Sequence, residues 1–294
     1  MSTARGWSRS PPRPPEVACG NRGRRGAPAA ACALVLSLLL LGVMPARAAE
    51  ECFLVTDLDT GRVLAKQGLC ATRHSPASTF KIPLALMGFD AGLLKSATQP
   101  VLEPPPDADT SREVTRGPQT PQSWMRNSVV WYSQVLTREL GPERIRAYLE
   151  RFVYGTLNIS GTPGRAEPIT HFWLSSSLRI SPREQVDFLR RMLKGELKVS
   201  EKAVTETMAL LAQQEQPAGW QLFGKTGTGF SPGGDGLPDP HRPLGWFVGF
   251  AQKSGRTAVF ARFISLDQKS EEGLGLMARR QALGALAAVL AAQN

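Results

Sequence analysis

Residues 75–87 read Ser-Pro-Ala-Ser-Thr-Phe-Lys-Ile-Pro-Leu-Ala-Leu-Met, and the rest of the chain can be placed around them. The apolar side chains keep a helical spacing after Ser78, so this stretch predicts the start of a buried helix. Ser75 and Ser78 are both candidates for its N-cap. Pro83 lacks the N–H group that a helix interior needs, which indicates that the helix begins close to Ser78.

Ser78 and Lys81 are three residues apart, so on a helix their side chains lie on one face, one turn apart. A serine at a helix N-terminus with a lysine above it is a nucleophile beside a possible base. A capping serine and a solvated lysine would give the same Ser-x-x-Lys match. However, Lys81 stands between Phe80 and Ile82, which are poor surroundings for a solvated lysine. The pair is therefore the first candidate for catalytic residues.

The charge of the chain is concentrated at one end. The chain has 294 residues, of which 42% are hydrophobic, and a formal net charge of +10. Residues 1–48 hold seven arginines and one glutamate, so six of the ten net positive charges lie there. The remainder is only mildly basic and requires no nucleic acid as a partner.

Residues 1–48 have the organisation of a secretory signal peptide. A basic region at Arg22–Arg25 is followed by the apolar run 29–43 and by Ala46-Arg47-Ala48, which is an A-x-A cleavage site. The run of 15 apolar residues is too short to span a membrane comfortably, so no stable membrane anchor is expected. The sequence thus predicts export to the periplasm and a single mature domain of residues 49–294.

Cys52 and Cys70 are the two cysteines of the mature domain. They flank a hairpin pattern with strands at 53–58 and 63–65 and a turn at 59–62. Because the midpoint between them falls inside the turn, they should face each other and form a disulfide in an oxidising compartment. Two buried free thiols are the alternative. The three histidines are scattered and no Cys-x-x-Cys occurs, so no metal site is expected.

The middle of the mature chain is mainly helical by the spacing of its apolar residues. Gly141-Pro142 separates two of the helices, and Ser181-Pro182 begins another. The predicted helices are 78–91, 121–139, 142–153, 181–194 and 200–213, and residues 99–120 are predicted to form a surface loop.

Strand patterns replace the helical ones after Trp220. A final helix over 271–292 is predicted to present Leu276, Leu283, Ala287 and Leu290 on one face. The two N-terminal and three C-terminal strands then form one antiparallel sheet of five or more strands, flanked by terminal helices. With a helical region of about 78–213 inserted, the fold class is α+β. The predicted strands are 221–228, 246–251 and 257–264, and the predicted loop is 231–243.

Two further short motifs follow the Ser78-x-x-Lys81 pair. Ser128-x-Val130 lies on or beside an apolar helix, and Lys225-Thr226-Gly227 lies on a strand, where glycine allows close approach of another backbone. Each motif alone is common. In this order, however, the three motifs resemble the penicillin-recognising serine enzymes, and most of all the class D (oxacillinase-type) β-lactamases.

The resemblance covers nearly the whole mature chain. It includes residues 171–181 and 245–249, whereas the Ser-Asp-Asn and Glu-x-x-Leu-Asn motifs of class A relatives do not occur. Tyr154-Gly155-Thr156 departs from the Tyr-Gly-Asn that is usual in the family, which leaves the role of the third position open.

The resemblance implies a chemical modification of Lys81. Burial lowers the pKa of a lysine amine, and in this family the neutral amine takes up CO2, supplied by bicarbonate, to become a carbamate. Lys81 would thus be N6-carboxylysine and serve as the general base, with no other cofactor. The Trp173 indole N–H would donate a hydrogen bond to it. The dry pocket around it would consist of Phe80, Val130, Trp173 and Leu174.

The resemblance also assigns roles in opening a lactam ring. Lys81 would take the proton of Ser78, whose oxygen attacks the carbonyl carbon. The backbone N–H groups of Ser78 and Thr228 would form the oxyanion hole. Ser128, polarised by Lys225, would pass a proton to the departing ring nitrogen.

The implied substrate is a small β-lactam of the penicillin type, turned over by an exported enzyme that is a monomer or a weak homodimer. Thr226, Gly227 and an arginine of the last helix would hold the substrate carboxylate. Arg280 is the first choice for that arginine, and Arg279 is its rival. The sequence does not indicate which lactams are preferred.

Two other functions use the same serine–lysine chemistry. One is a penicillin-binding transpeptidase or carboxypeptidase acting on peptidoglycan, although such enzymes usually have asparagine where this chain has Val130. The other is a β-lactam sensor, which is acylated but does not hydrolyse the acyl group. Steady turnover of a chromogenic cephalosporin would exclude the sensor.

Overall fold

Strands from both ends of the mature chain pair in one antiparallel sheet. A computed structural model describes residues 49–162, 164, 166 and 168–293, so the signal peptide predicted over residues 1–48 lies outside the described residues. The strands are β1 (Glu50–Asp57), β2 (Val63–Gly68), β3 (Gln221–Pro232), β4 (Pro238–Lys253) and β5 (Arg256–Ser265). In the described part of the chain they form a five-stranded sheet in the order β2-β1-β5-β4-β3. The predicted five-stranded antiparallel sheet is confirmed.

Helices cover both faces of this sheet. Successive residues of a strand point to opposite faces, and along β5 Phe263 belongs to one apolar cluster and Phe260 to the other. The first cluster packs under the helices between β2 and β3, and the second under the last helix, which confirms the α+β architecture with a helical insertion. The helices are α1 (Lys81–Asp90), α2 (Pro121–Asn127), α3 (Val130–Phe152), α4 (Pro182–Leu193), α5 (Glu201–Leu211) and α6 (Leu274–Ala291).

The predicted disulfide is present. Cys52 and Cys70 are bonded, with their Cα atoms 5.1 Å apart. Cys52 lies opposite Gly68 in the β1–β2 pairing, so Cys70 follows the paired residue closely enough to reach back across the hairpin.

The predicted helix 121–139 is in fact two helices. α2 ends at Asn127, the next residue Ser128 has the left-handed φ of 57° and ψ of 41°, and α3 begins at Val130. The break that Gly141-Pro142 predicts is also present, because Gly141 has the non-helical φ of 73° and ψ of 163° inside α3.

The prediction of a loop over 231–243 is wrong for most of that range. β3 continues to Pro232 and β4 begins at Pro238, so only a short turn separates them. β3 is the edge strand of the sheet, and β4 pairs with β5 only from Leu244 onward. Proline residues can therefore occupy the outer part of this hairpin, because few backbone N–H groups there are needed for pairing.

The predicted face of the last helix is correct only in part, because Leu290 is buried and Leu283 packs against the second cluster, but Leu276 points away. Leu276 is 61% exposed, whereas α6 buries a row that is made mostly of alanine and leucine. Small side chains in this row let the helix lie close to the sheet. α6 has a length and a mean hydropathy of 1.3 that would suit a membrane span, but its apolar row is part of the second cluster of this fold. The buried row consists of Leu274, Ala278, Ala282, Leu286 and Leu290.

Candidate active site

Ser78 lies in a 3-10 turn, Ala77–Phe80, that leads directly into α1. Ala77, the first residue of the turn, has the left-handed φ of 47°, and a hydrogen bond from Thr79 N–H to the carbonyl of Pro76 at 3.1 Å closes the turn. Neither Ser75 nor Ser78 caps the helix through its side chain. The predicted capping role is therefore wrong, and the Ser78 hydroxyl is left available for chemistry.

Ser75 instead ties the turn to a second segment. Its hydroxyl donates to the carbonyl of Trp173 at 2.8 Å and accepts from the N–H of Ser175 at 2.9 Å. The N–H of Ala77 donates to the same Trp173 carbonyl at 3.1 Å. These bonds hold residues 173–175 against the turn that carries Ser78.

Lys81 places a buried amine beside Ser78. Its side chain is fully buried, and its Nζ lies 3.4 Å from the Ser78 Oγ. Burial holds the pKa of Lys81 well below its usual value, and the positive charges of Lys225 and Arg112 lower it further. A neutral amine can accept a proton, which a solvated lysine at neutral pH cannot do.

Lys225 brings a second buried amine into the site. It is 4% exposed and its Nζ donates to the carbonyl of Thr226 at 3.0 Å. Burial, with a smaller contribution from the charge of Arg112, lowers the pKa of Lys225 to about 7. This amine can therefore change its protonation state near neutral pH.

Gly227 lets β3 approach the turn of Ser78, as its sequence context predicts. A Cβ atom at this position would lie 3.0 Å from the Pro76 carbonyl oxygen and 3.1 Å from Thr79. The next residue, Thr228, accepts a hydrogen bond at its Oγ1 from the N–H of Gly275 at 3.0 Å. The close approach places Gly227, and with it the backbone of Thr228, beside the turn that carries Ser78.

Ser128 occupies the left-handed position between α2 and α3. The junction is braced by the Trp124 indole, which donates to the Ser133 hydroxyl at 2.9 Å, and by a bond from Val129 N–H to the Trp124 carbonyl. The Ser128 hydroxyl forms no hydrogen bond to another residue that the structure describes. Its proposed partnership with Lys225 therefore stays a prediction.

The predicted dry pocket is built from stacked aromatic rings. Phe80 and Trp173 are fully buried, and their rings stack with centroids 5.4 Å apart. Val130 and Leu174 are half-buried. Within the described chain, the Trp173 Nε1 is buried without a hydrogen-bond partner. An unpaired buried donor costs about 1–3 kcal/mol, so this N–H is the place where an acceptor would fit.

Gln185 is a buried polar residue beneath the turn, and no sequence pattern indicated its role. The Gln185 side-chain amide donates to the Thr79 hydroxyl at 2.9 Å and accepts from the Tyr154 hydroxyl at 3.5 Å. The Thr79 hydroxyl in turn donates to the Pro76 carbonyl at 2.7 Å. Gln185 lies inside the amphipathic pattern of α4, where one more polar residue carries no distinguishing signal.

The departure at Thr156 has a structural role. Its hydroxyl donates to the Ser177 carbonyl at 3.4 Å and accepts from the Arg179 N–H at 3.1 Å. Thr156 therefore supplies the donor and acceptor that hold residues 177–179, the segment that follows Trp173.

The two arginines proposed to bind the substrate carboxylate are already engaged. Arg280 is 65% exposed and binds both carboxylate oxygens of Glu272, at 2.5 and 2.9 Å. Arg279 pairs with Glu215 at 2.6 Å and lies over the Phe247 ring. Among the described contacts, none joins Arg280 or Arg279 to Ser78, so their binding of a substrate carboxylate stays a prediction. The positive charge of Arg112, which lies in the predicted surface loop 99–120, lowers the pKa of both Lys81 and Lys225.

Comparison with known proteins agrees with this geometry. Residues 51–283 match the model of the penicillin binding protein transpeptidase domain. The chain is 42% identical over 234 residues to beta-lactamase OXA-9 of Klebsiella pneumoniae, covering 79% of this chain and 85% of that protein. It is 36% identical to beta-lactamase OXA-1 of Escherichia coli, covering 80% and 83% of the two chains. The crystal structure of the class D beta-lactamase OXA-427 superposes with a TM-score of 0.77 at 40% identity, over 82% of this chain and 98% of that one.

Proposed function

The chain belongs to the class D β-lactamases, which are hydrolases, and from this premise we propose that it hydrolyses the lactam amide of penicillin-type antibiotics through an acyl-enzyme on Ser78. The observation that carries the proposal is the fully buried Lys81 amine, 3.4 Å from the Ser78 hydroxyl. No other described lysine combines this burial with contact to a hydroxyl at the start of a buried helix.

The Lys81 side chain is proposed to carry a carbamate formed from CO2. The unpaired N–H of Trp173 supports this assignment, because Trp173 stacks on Phe80, the residue before Lys81. Burial also keeps the amine neutral, which is the form that reacts with CO2. When present, the carbamate would supply two oxygen atoms, one as general base and one as acceptor for the Trp173 N–H.

The chain's own residues account for the steps of ring opening. The Lys81 side chain takes the Ser78 proton as Oγ attacks the carbonyl carbon. The N–H groups of Ser78 and Thr228 stabilise the developing oxyanion. The Ser128 hydroxyl, polarised by Lys225, gives its proton to the departing ring nitrogen and regains one from the Lys81 side chain, which is thereby ready to act as a base again. The Lys81 side chain then activates the water that releases the product from Ser78.

We also propose that the protein is exported to the periplasm. The disulfide Cys52–Cys70 supports this proposal, because such bonds persist in oxidising compartments. N-terminal sequencing of protein from the periplasmic fraction of an expressing cell should start at Ala49. Protein that retains residues 1–48 and stays in the cytoplasm would contradict the proposal.

Steady turnover distinguishes hydrolysis from the two alternatives. A sensor or a transpeptidase would release one equivalent of product in a burst and then stop, because its acyl-enzyme is stable. The purified mature protein should instead turn over a chromogenic cephalosporin for many cycles without loss of rate.

The carbamate is tested by removing bicarbonate at mildly acid pH and adding it back. Activity should fall and then recover, and 13C-labelled bicarbonate should give a carbamate carbon signal that is absent from Lys81→Ala. Trp173→Phe keeps the ring and removes the N–H, so it should need more bicarbonate for half-recovery. Trp220→Phe, the same exchange in the second apolar cluster, should behave as the parent protein does. Activity that is indifferent to bicarbonate, with no labelled signal, would contradict the proposal.

A further inference from the structure

A chain of hydrogen bonds between buried polar groups ends at the turn that carries Ser78. The Tyr154 hydroxyl donates to the Gln185 Oε1 at 3.5 Å, and the Gln185 Nε2 donates to the Thr79 Oγ1 at 2.9 Å. The Thr79 hydroxyl donates to the Pro76 carbonyl at 2.7 Å. The side chains of Tyr154, Gln185 and Thr79 are fully buried, so they depend on one another for their hydrogen bonds.

The last group of this chain fixes the direction of all its bonds. A carbonyl can only accept, so the Thr79 hydroxyl uses its single proton on Pro76. The Thr79 oxygen is then left to accept, and the amide N–H of Gln185 is directed at it. The position of Gln185 therefore calls for a side chain that donates at one end and accepts at the other, which an apolar side chain of similar size cannot do.

The turn that this chain reaches contains a strained residue. Ala77 has the left-handed φ of 47°, a conformation that persists in a residue other than glycine only where the surroundings hold it. Thr79 binds the Pro76 carbonyl twice, through its N–H at 3.1 Å and through its hydroxyl. These two bonds close the turn across Ala77 and Ser78, and the bond from Gln185 keeps the hydroxyl in the orientation that the second one needs.

Strand β3 packs against the same turn. A Cβ atom on Gly227 would lie 3.0 Å from the Pro76 carbonyl oxygen and 3.1 Å from the Thr79 Cγ2. The strand thus limits how far the turn can move, whereas the bond from Gln185 sets the orientation of the Thr79 side chain.

The first turn of α4 fixes the place of Gln185. The Ser181 hydroxyl accepts from the Glu184 N–H at 3.2 Å, and the Glu184 carboxylate accepts from the Ser181 N–H at 2.8 Å. Arg73 pairs with the same carboxylate. The N–H of Gln185 donates to the Ser181 carbonyl at 2.9 Å. Gln185 therefore extends from a capped helix start, which is the rigid support that a positioning group requires.

The distance between Ser78 and Lys81 makes their relative position critical. The Ser78 Oγ and the Lys81 Nζ are 3.4 Å apart, already longer than the usual range of about 2.7–3.2 Å, so a small rotation of the turn would separate them. We propose that Gln185 is a positioning residue, which acts through Thr79 to hold the Ser78 hydroxyl within reach of the Lys81 side chain. The inference rests on the proposed function, in which Ser78 is the nucleophile.

The test removes the hydrogen-bonding groups one at a time. Acylation of Ser78 by benzylpenicillin is followed by rapid-quench mass spectrometry over a range of concentrations, which separates the Kd from the rate constant of acylation. Gln185→Met should lower the rate constant about 10-fold and change the Kd less than about twofold, because the site is misaligned and not blocked. Thr79→Ala should have the same effect. Thr79→Ser, which keeps the hydroxyl, should stay within about threefold of the parent protein.

Matched variants separate positioning from a general loss of stability. Thr79→Ser and Thr79→Ala lose the same methyl group and differ only in the hydroxyl, so equal rate constants for the two would overturn the inference. Thr137→Ala removes an equally buried hydroxyl, which donates to the Gln134 carbonyl in α3 at 3.0 Å, and should change the rate constant less than about twofold. Acylation at the parent's rate in a folded Gln185→Met protein would also overturn the inference.

The double variant Gln185→Met, Thr79→Ala tests whether the two residues act through one bond. Its rate constant should be no lower than that of the slower single variant, because the second change finds the bond already broken. Independent effects would instead multiply to roughly 100-fold, and that result would contradict the proposed route through Thr79.

The bicarbonate dependence of acylation separates an effect on Ser78 from an effect on the pocket of Lys81. Gln185→Met should need the parent's bicarbonate concentration for half-maximal acylation, and a higher requirement would overturn the inference. Hydrolysis of the acyl-enzyme is not needed for these measurements. A protein that is acylated but does not turn over would therefore defeat the proposed function and still show whether Gln185 positions Ser78.

Discussion

Lys81 is the side chain on which the proposed chemistry depends, because its buried amine lies next to the Ser78 hydroxyl. A lysine in this position is costly to bury as a cation, and its low pKa is the consequence of that cost. Burial of Lys81 therefore lowers the stability of the fold, and the same burial keeps the amine neutral, and thus able to react, at neutral pH. Trp173 repeats the pattern, since its unpaired N–H is unfavourable for folding and is the proposed donor to the carbamate.

Replacing Lys81 by alanine should lower kcat/KM for penicillins by about 10²- to 10⁴-fold, which is the usual contribution of a general base. Residual acylation of Ser78 should remain detectable by mass spectrometry. Lys66→Ala, on the exposed strand β2, is the control and should keep the parent's rate. Penicillin hydrolysis by a folded Lys81→Ala protein at the parent's rate would show that another group is the base.

α6 and β3 lie so close together at Gly275 that only glycine fits at this position. A Cβ atom on Gly275 would lie 2.6 Å from the Gly227 carbonyl oxygen and 2.6 Å from the Thr228 Oγ1. This contact sets the rotation of α6 and supports the strand that carries the Lys225-Thr226-Gly227 motif. The helix is thus part of the wall behind the site, although none of its side chains reaches Ser78 in the described contacts.

Gly275→Ala should therefore lower the free energy of unfolding by about 1–3 kcal/mol, as overpacking usually does, and should also lower kcat. Gly284→Ala is the matched control on the same helix, because a Cβ atom there meets nothing within 4 Å. It should raise the free energy of unfolding by up to about 1 kcal/mol through helix propensity and leave kcat unchanged. Urea unfolding and steady-state kinetics of the two variants measure both effects. Equal behaviour of the two variants would refute the role given to the contact.

The disulfide of the β1–β2 hairpin is expected to stabilise the fold, and this stabilisation can be measured separately from catalysis. The bond closes a loop with a sequence separation of 18, for which the loss of unfolded-state entropy is worth about 3 kcal/mol. The double variant Cys52→Ala, Cys70→Ala should melt about 6–12 °C lower and keep kcat below its melting range. The parent protein in a reducing buffer should show the same shift. An unchanged melting temperature in both samples would rule out a stabilising role.

The whole molecule places the site at the seam between the sheet and the inserted helices. The proposed nucleophile comes from the turn before α1 and the proposed base from the start of α1, whereas the second serine comes from the α2–α3 junction and the second amine from β3. Two buried lysines at one seam have a consequence for the pH dependence of stability. Both have a lower pKa in the folded protein than in the unfolded chain, so between the two values the unfolded chain binds more protons.

The free energy of unfolding should accordingly rise with pH over one interval. This interval runs from about 7, the pKa of Lys225 in the folded protein, to 10.5, the usual pKa of a lysine. One proton changes the free energy of unfolding by at most about 1.4 kcal/mol per pH unit. In urea unfolding at pH 7 and pH 9 without bicarbonate, Lys225→Met should show a smaller rise than the parent protein. Lys202→Met, on the exposed face of α5, should show the parent's rise. A parent protein whose stability falls over this interval would contradict the burial of the amines.

Features that depend on residues close together along the chain could be predicted from the sequence. The spacing of Ser78 and Lys81, the cysteine hairpin and the glycine after Lys225-Thr226 are local patterns, and each was found where it was expected. Strand periodicity and the position of the helical insertion follow in the same way, because a period of two or 3.6 residues is written into the sequence itself.

Features that arise where distant segments meet were settled only by the fold. The exposure of Leu276 depends on how Gly275 seats α6 against β3, and the length of the β3–β4 hairpin depends on its place at the sheet edge. Gln185 lies beneath the turn of Ser78 only because α4 packs against that turn, where its amide reaches the Thr79 hydroxyl. A sequence pattern reports what a residue is next to along the chain, whereas burial, charge and hydrogen bonding depend on what lies across from it in space.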